Sequence, residues 1–269
     1  MARRPGVFSR RIAVALSVLA FGGAACGVSA RRGDAPDRRV GAEDGRPIVV
    51  TLPCTTGRDL ESALLRAAAG AGVPVGIERL EGAPAERITV HGTYMQRRVT
   101  LTDRSLRDAW AVLLNPDDAG TPSMPAGPAY RVAWPEGSDM AHVSGGEGAT
   151  FLDRIVPDFT VEHATLEQAT ATLVRELDPA FGTVAAYAGW VGGRGPADGA
   201  SGASAVERLD APVSLSVRGG TVRTALDHLA EAHGRVSWVV RYTSPQGDYA
   251  GSQIVFAAFN GRTETIRAR

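Results

Sequence analysis

Four times along the chain, a residue able to cap a helix precedes the same apolar ladder. The copies are Asp59-Leu60-x-x-Ala63, Ser105-Leu106-x-x-Ala109, Thr165-Leu166-x-x-Ala169 and Thr221-Val222-x-x-Ala225. Counted from its first apolar residue, each continues at +3, +4, +7 and +8, as in Leu106, Ala109, Trp110, Leu113 and Leu114. That spacing puts one stripe on one helical face and leaves Arg and Glu opposite, so each copy is an amphipathic helix. The Asp, Ser or Thr ahead of it offers a side-chain oxygen to the unpaired amides of the first turn. Ser105 with Asp108, and Thr165 with Gln168, have the spacing of a capping box.

A short β-branched or aromatic run precedes each helix: 48–52, 99–102, 159–161 and 213–217. Further runs follow at 73–77, 130–134, 184–187 and 236–242. The repeating unit is therefore strand, helix, strand. A three-turn helix and a five-residue strand both span roughly 17 Å, so one covers the other. One unit cannot bury both faces of its strands, and pairing units two by two predicts an α+β chain of tandem small domains. The boundaries expected are 47–135 and 151–260, joined by a Gly-rich linker over 136–150 and followed by a tail over 261–269. Residues 115–128 and 189–205 read as long loops, and the run 253–259 as a further strand able to stand at an exposed edge.

Residues 1–30 have the layout of an export signal: Arg3, Arg4, Arg10 and Arg11 precede an apolar run from Ile12 to Phe21, then small residues. Ten apolar residues are too few to span a bilayer. Cleavage after Ala30 is one exit from the signal, and lipid attachment at Cys26, within a lipobox-like Gly23-Ala24-Ala25-Cys26, is the other. Residues 31–46 are charged and Gly/Pro-rich and read as a disordered tether. The chain is therefore expected to be exported, either periplasmic or membrane-anchored as a lipoprotein. Cys54 is then the one cysteine of the folded part, and no intramolecular disulfide is expected.

Removing the four arginines of the signal leaves 25 Arg against 29 acids, a net charge of −4 interspersed along the chain. Nucleic-acid binding needs clustered positive charge and is disfavoured. The chain has no lysine, which excludes Schiff-base, P-loop and Ser-Lys chemistry.

Constellations that resemble sites resolve into structural readings. His228 and His233 are five residues apart, about 140° around a helix, whereas two-histidine zinc sites use a spacing of four. His233 falls on the apolar stripe and is expected to close the core beside Gly234. Asp139, His142, Ser144 and Glu147 could supply a nucleophile, a base and an acid, but they lie in the Gly-rich linker without a rigid support and are expected to be solvated. The glycines after Trp190 lack a following helix start, so they do not form a phosphate cradle. Trp238 and Tyr242 alternate with Val240 on one strand face and are expected in the core. No catalytic residue, metal site or cofactor is expected.

The stretch from Ala211 to Leu229, with its cadence of Val213-Ser214-Leu215-Ser216-Val217 running into Thr221-Val222-Arg223-Thr224-Ala225-Leu226, resembles the secretin and TonB short N-terminal (STN) domain. The same cadence runs from Val99 to Leu114. The resemblance implies domains of two strand-helix-strand motifs, with two helices held between small sheets. It also implies a role in the bacterial envelope as a non-catalytic protein-protein interaction module, with an envelope protein as partner. There is no series of ten-residue alternating strands, so neither barrel nor pore function is carried over. The alternative is an envelope hydrolase or small-ligand-binding protein with a site between the two domains, gathering His142, His163 or Asp139.

Overall fold

The computed structural model describes residues 35–43, 45–52, 54, 57–80, 97–115, 130–136, 138–145, 151–178, 181, 183–187, 210–234, 236–243 and 251–258. Cys26 and the stretches read from the sequence as an export signal over 1–30, a loop over 189–205 and a tail over 261–269 lie outside them, as do Glu147 and most of the stretch read as a loop over 115–128.

The fold is α+β. The first half runs β1 (Val49–Leu52), α1 (Gly57–Ala71), β2 (Val75–Leu80), β3 (Arg97–Thr100), α2 (Leu106–Leu114), β4 (Tyr130–Ala133) and β5 (Ala141–Gly145). The second runs β6 (Ile155–Ala164), α3 (Leu166–Leu177), β7 (Thr183–Tyr187), β8 (Val213–Thr221), α4 (Val222–His233), β9 (Val236–Tyr242) and β10 (Gln253–Ala258).

The ladders form as the spacing requires. Leu166, Ala169, Thr170, Leu173 and Val174 are buried on α3, and Val222, Ala225, Leu226, Leu229 and Ala230 on α4. Burying each Leu contributes about 1.5–3 kcal/mol. Thr165 and Gln168 make the reciprocal capping box, Ser105 accepts from the Asp108 amide at 3.1 Å, and Thr221 accepts from the Thr224 amide at 3.2 Å. The first ladder differs from expectation. Its helix starts at Gly57, which puts Asp59 inside the first turn instead of ahead of it. Gly234, left-handed at φ 89°, closes α4 with its amide donating to the carbonyls of Ala230 and Glu231.

Each half pairs its strands in the same way. β1 lies antiparallel to β3 and β6 antiparallel to β8, as two separate ribbons. β5 runs parallel to β2 and antiparallel to β4, while β10 runs parallel to β7 and antiparallel to β9. The expectation of two domains joined by a linker meets something else. β2 and β9 pair in parallel, so the halves share one six-stranded sheet in the order β4-β5-β2-β9-β10-β7, and residues 33–269 form a single compact unit.

Two hydrophobic cores lie on opposite faces of this sheet. Val75, Ile77, Ala141, Val143 and Val239 join the core of α1 and α2. Trp238, Val240, Tyr242, Ile254 and Phe256 join the core of α3 and α4. Alternation along β9 thus serves both halves at once, because successive side chains leave a strand on opposite faces. The layers run ribbon, helix pair, shared sheet, helix pair, ribbon.

Three further sequence readings are corrected by this packing. The 136–150 linker carries β5, whose Ala141 and Val143 are apolar enough to enter a core. The 31–46 tether is partly structured: Ala35–Asp37 forms a 3-10 turn, Val40 is fully buried, and its amide donates to the Arg104 carbonyl at 2.8 Å. The strand thought able to stand at an edge, β10, is interior, between β9 and β7.

Candidate functional site: the polar seam between the halves

Where β2 meets β9, Gly76 to Leu80 stand opposite Trp238 to Tyr242. Charged and polar side chains project from both faces of this seam into otherwise apolar layers.

On the α1 face, Glu61 is buried to 1% exposure and receives two arginines. Arg79 Nε donates to Glu61 Oε2 at 2.7 Å. Arg241 grips both carboxylate oxygens, Nε on Oε2 at 3.0 Å and Nη2 on Oε1 at 2.5 Å. Such a fork matches the planar guanidinium to the carboxylate and is among the stronger protein hydrogen-bond arrangements. Arg241 Nη1 also donates to Gln253 Oε1 at 3.2 Å. The first half's helix α1 and strand β2 are thereby tied to the second half's β9.

On the α4 face, Glu78 is the hub. Its Oε1 accepts from the Tyr242 hydroxyl at 2.9 Å, and its Oε2 from Arg223 Nη2 at 3.1 Å. Two residues back along β2, the Trp238 indole lies over Gly76, where a Cβ would fall inside van der Waals contact with the ring. Only glycine fits beneath it. The indole Nε1 donates to Asp227 Oδ1 at 3.0 Å, and His142 Nε2 stands 3.1 Å from the same oxygen. The His142 ring is tilted against Trp238, with centroids 5.7 Å apart.

His142 is therefore not solvated, as its place in a glycine-rich stretch suggested, but buried and bonded to a carboxylate from α4. The residues read around it do not assemble. Asp139 pairs with Arg38 at 3.8 Å, and Ser144 makes no hydrogen bond to His142. His163 sits in the outer ribbon at a bulge of β6, with φ 50° and its amide donating to Ser214 Oγ. A histidine with a carboxylate is part of a hydrolytic triad, and here no hydrogen bond joins His142 to a serine among the described residues.

His228 is exposed and lies 3.3 Å from Glu231, while His233 is half-buried at the end of α4. Among the described residues no three His, Cys, Asp or Glu side chains are grouped to hold a metal. Trp238, Val240 and Tyr242 all face the second core. Cys54 is a free thiol, pushed up to about 11 by burial first and by the Asp59 charge second. No helix among the described residues is long and apolar enough to cross a membrane.

The seam residues Glu61, Glu78, Arg79, Arg223, Asp227, Arg241 and Gln253 were not singled out from the sequence. The available signal was Glu78-Arg79 and Arg241 inside otherwise apolar strands, where a charge is costly unless paired. With both oxygens of Glu61 and of Glu78 occupied, the arrangement can fasten the halves.

No family model, curated protein or solved structure matches the chain.

Proposed function

We propose that this chain is an exported bacterial cell-envelope protein, periplasmic or lipid-anchored, that works as a non-catalytic protein-protein interaction module of STN-like type. The observation that carries the reading is the junction itself: each half holds two helices between a two-stranded ribbon and three strands of sheet, and binds its neighbour through a strand edge. Pairing at a sheet edge is a general mode of protein recognition, with main-chain bonds supplying affinity and flanking side chains supplying specificity. The family resemblance over 211–229 and 99–114 supports the same reading.

Two measurements test it. Intact mass and fractionation of the native protein should give an envelope form that is either lipidated at Cys26 or cleaved after Ala30; a cytosolic chain retaining Met1 would overturn export. Affinity capture from envelope extract should enrich one specific protein, and its absence would overturn the interaction role.

The alternative, an envelope hydrolase or small-ligand binder, draws its support from the buried His142–Asp227 pair. It predicts ester hydrolysis or ligand-induced stabilisation abolished by Asp227→Asn. Neither effect follows from an interaction module.

A further inference from the structure

The junction between the halves is a contact that the molecule makes once and whose two separate sides recur at the ends of its sheet. With β2 taken as pointing up, β5 and β9 also point up, while β4, β10 and β7 point down. Along the sheet, β9, β10 and β7 repeat β4, β5 and β2 in order, with every strand reversed and the helices moved to the opposite face. That relation is a half-turn about an axis across the strands combined with a shift along it. Applied again it restores the first orientation further on, so the junction is heterologous and does not close.

The two terminal strands are the unused counterparts of the junction. β7 corresponds to β2 and β4 to β9, and among the described residues each has a strand neighbour on one side only. Both point the same way, so β7 of one copy and β4 of the next would meet in the parallel sense in which β2 meets β9.

Charge repeats with topology. In the junction, Arg241 leaves β9 on the face away from its own core and reaches Glu61, the residue that follows the first ladder position Leu60 on α1. On β4, Tyr130, Val132 and Trp134 pack against their own core, which leaves exposed Arg131 on the face away from it. On α3, the residue that follows the first ladder position Leu166 is Glu167, also exposed. Neither Arg131 nor Glu167 has an ion-pair partner among the described residues of its own chain.

We propose that this protein associates with further copies of itself, head to tail, through parallel pairing of β7 with β4 and an ion pair from Arg131 to Glu167 of the adjoining copy. The inference rests on the interaction-module reading and names both the partner and the edge. β4 has four residues where β9 has seven. Association is accordingly reversible and concentration-dependent, and it grows beyond a dimer because the contact does not close.

Sedimentation of the purified chain from micromolar to millimolar concentration tests this. The expected average mass climbs past that of a dimer, Arg131→Glu moves the transition to several-fold higher concentration, and Arg131→Glu with Glu167→Arg moves it back. Both positions are exposed, so the variants keep the fold, which circular dichroism checks. A monomer throughout, a plateau at the dimer, or association indifferent to Arg131→Glu would each overturn the proposal. A chain that stays monomeric yet captures an envelope protein would overturn self-association alone and leave the interaction reading standing.

Discussion

The two faces of the β2–β9 seam join the same pair of strands by different means. Toward α1, one carboxylate is buried almost completely and shared by two arginines, so the contact is ionic and concentrated on Glu61. Toward α4, the load is spread over Glu78, Tyr242, Arg223, Asp227 and His142 and over the shape fit of Trp238 on Gly76. Burial explains the contrast. Glu61 and Arg79 are closed off from water, with side-chain exposures of 1% and 3%, whereas Arg223 keeps 25% of its side chain exposed. A charge sealed from water depends on its partner far more than one that solvent can still reach.

The sharpest way to break the comparison is Glu61→Ala. It removes the carboxylate that Arg79 and Arg241 share, and urea unfolding should show a loss of about 3–5 kcal/mol, the scale for removing one partner of a buried pair. A loss under about 1 kcal/mol, the scale of an exposed pair, would mean the α1 face is not a concentrated lock.

Gly76→Ala strikes the other face through shape. The added methyl meets the Trp238 indole, and the expected loss is about 1–3 kcal/mol, with a shift in tryptophan fluorescence as the ring is displaced. An unchanged emission spectrum would show that the ring does not lie over this glycine.

Tyr242→Phe removes one of the two donors to Glu78 while Arg223 remains, so the loss should be smaller, about 1–2 kcal/mol. A loss equal to that of Glu61→Ala would erase the distinction between a shared load and a concentrated one.

The smallest effect is read at Cys54, just ahead of α1. Its thiol has a folded value of about 11 against an ordinary 9.0, so it holds its proton in the range where a free thiol begins to ionise. The stabilising contribution of the protonated thiol is complete below about 9 and is lost as pH rises through about 11. Alkylation at pH 8–9 should be slower than in unfolded chain, and Glu61→Ala should speed it more than Tyr242→Phe does. Equal acceleration by both would show that Cys54 does not report on one face alone.

Much of the α+β layout was legible in the sequence because it is written at short range. The ladder spacing, Ser105, Thr165 and Thr221 at the caps, and Gly234 at the end of α4 all act within a turn or two of helix, where periodicity and capping chemistry suffice. The strand at 141–145 was not legible, since Ala141-His142-Val143-Ser144-Gly145 carries weak strand propensity and lies among glycines. Its place comes from pairing with the nearby β4 and with β2, which lies far away along the chain. His142 was misread for the same reason: its partner, Asp227, lies 85 residues further on.

By itself, then, the chain determined its helices, most of its strands and the likeness of its two halves, because those depend on contacts between near neighbours. Tertiary structure alone decided that the halves share one sheet and that Glu61, Arg79 and Arg241 meet. The physical reason is that a parallel pairing of β2 with β9, more than 150 positions apart, leaves no periodic trace in either strand. Buried charges become interpretable only once their partners are beside them.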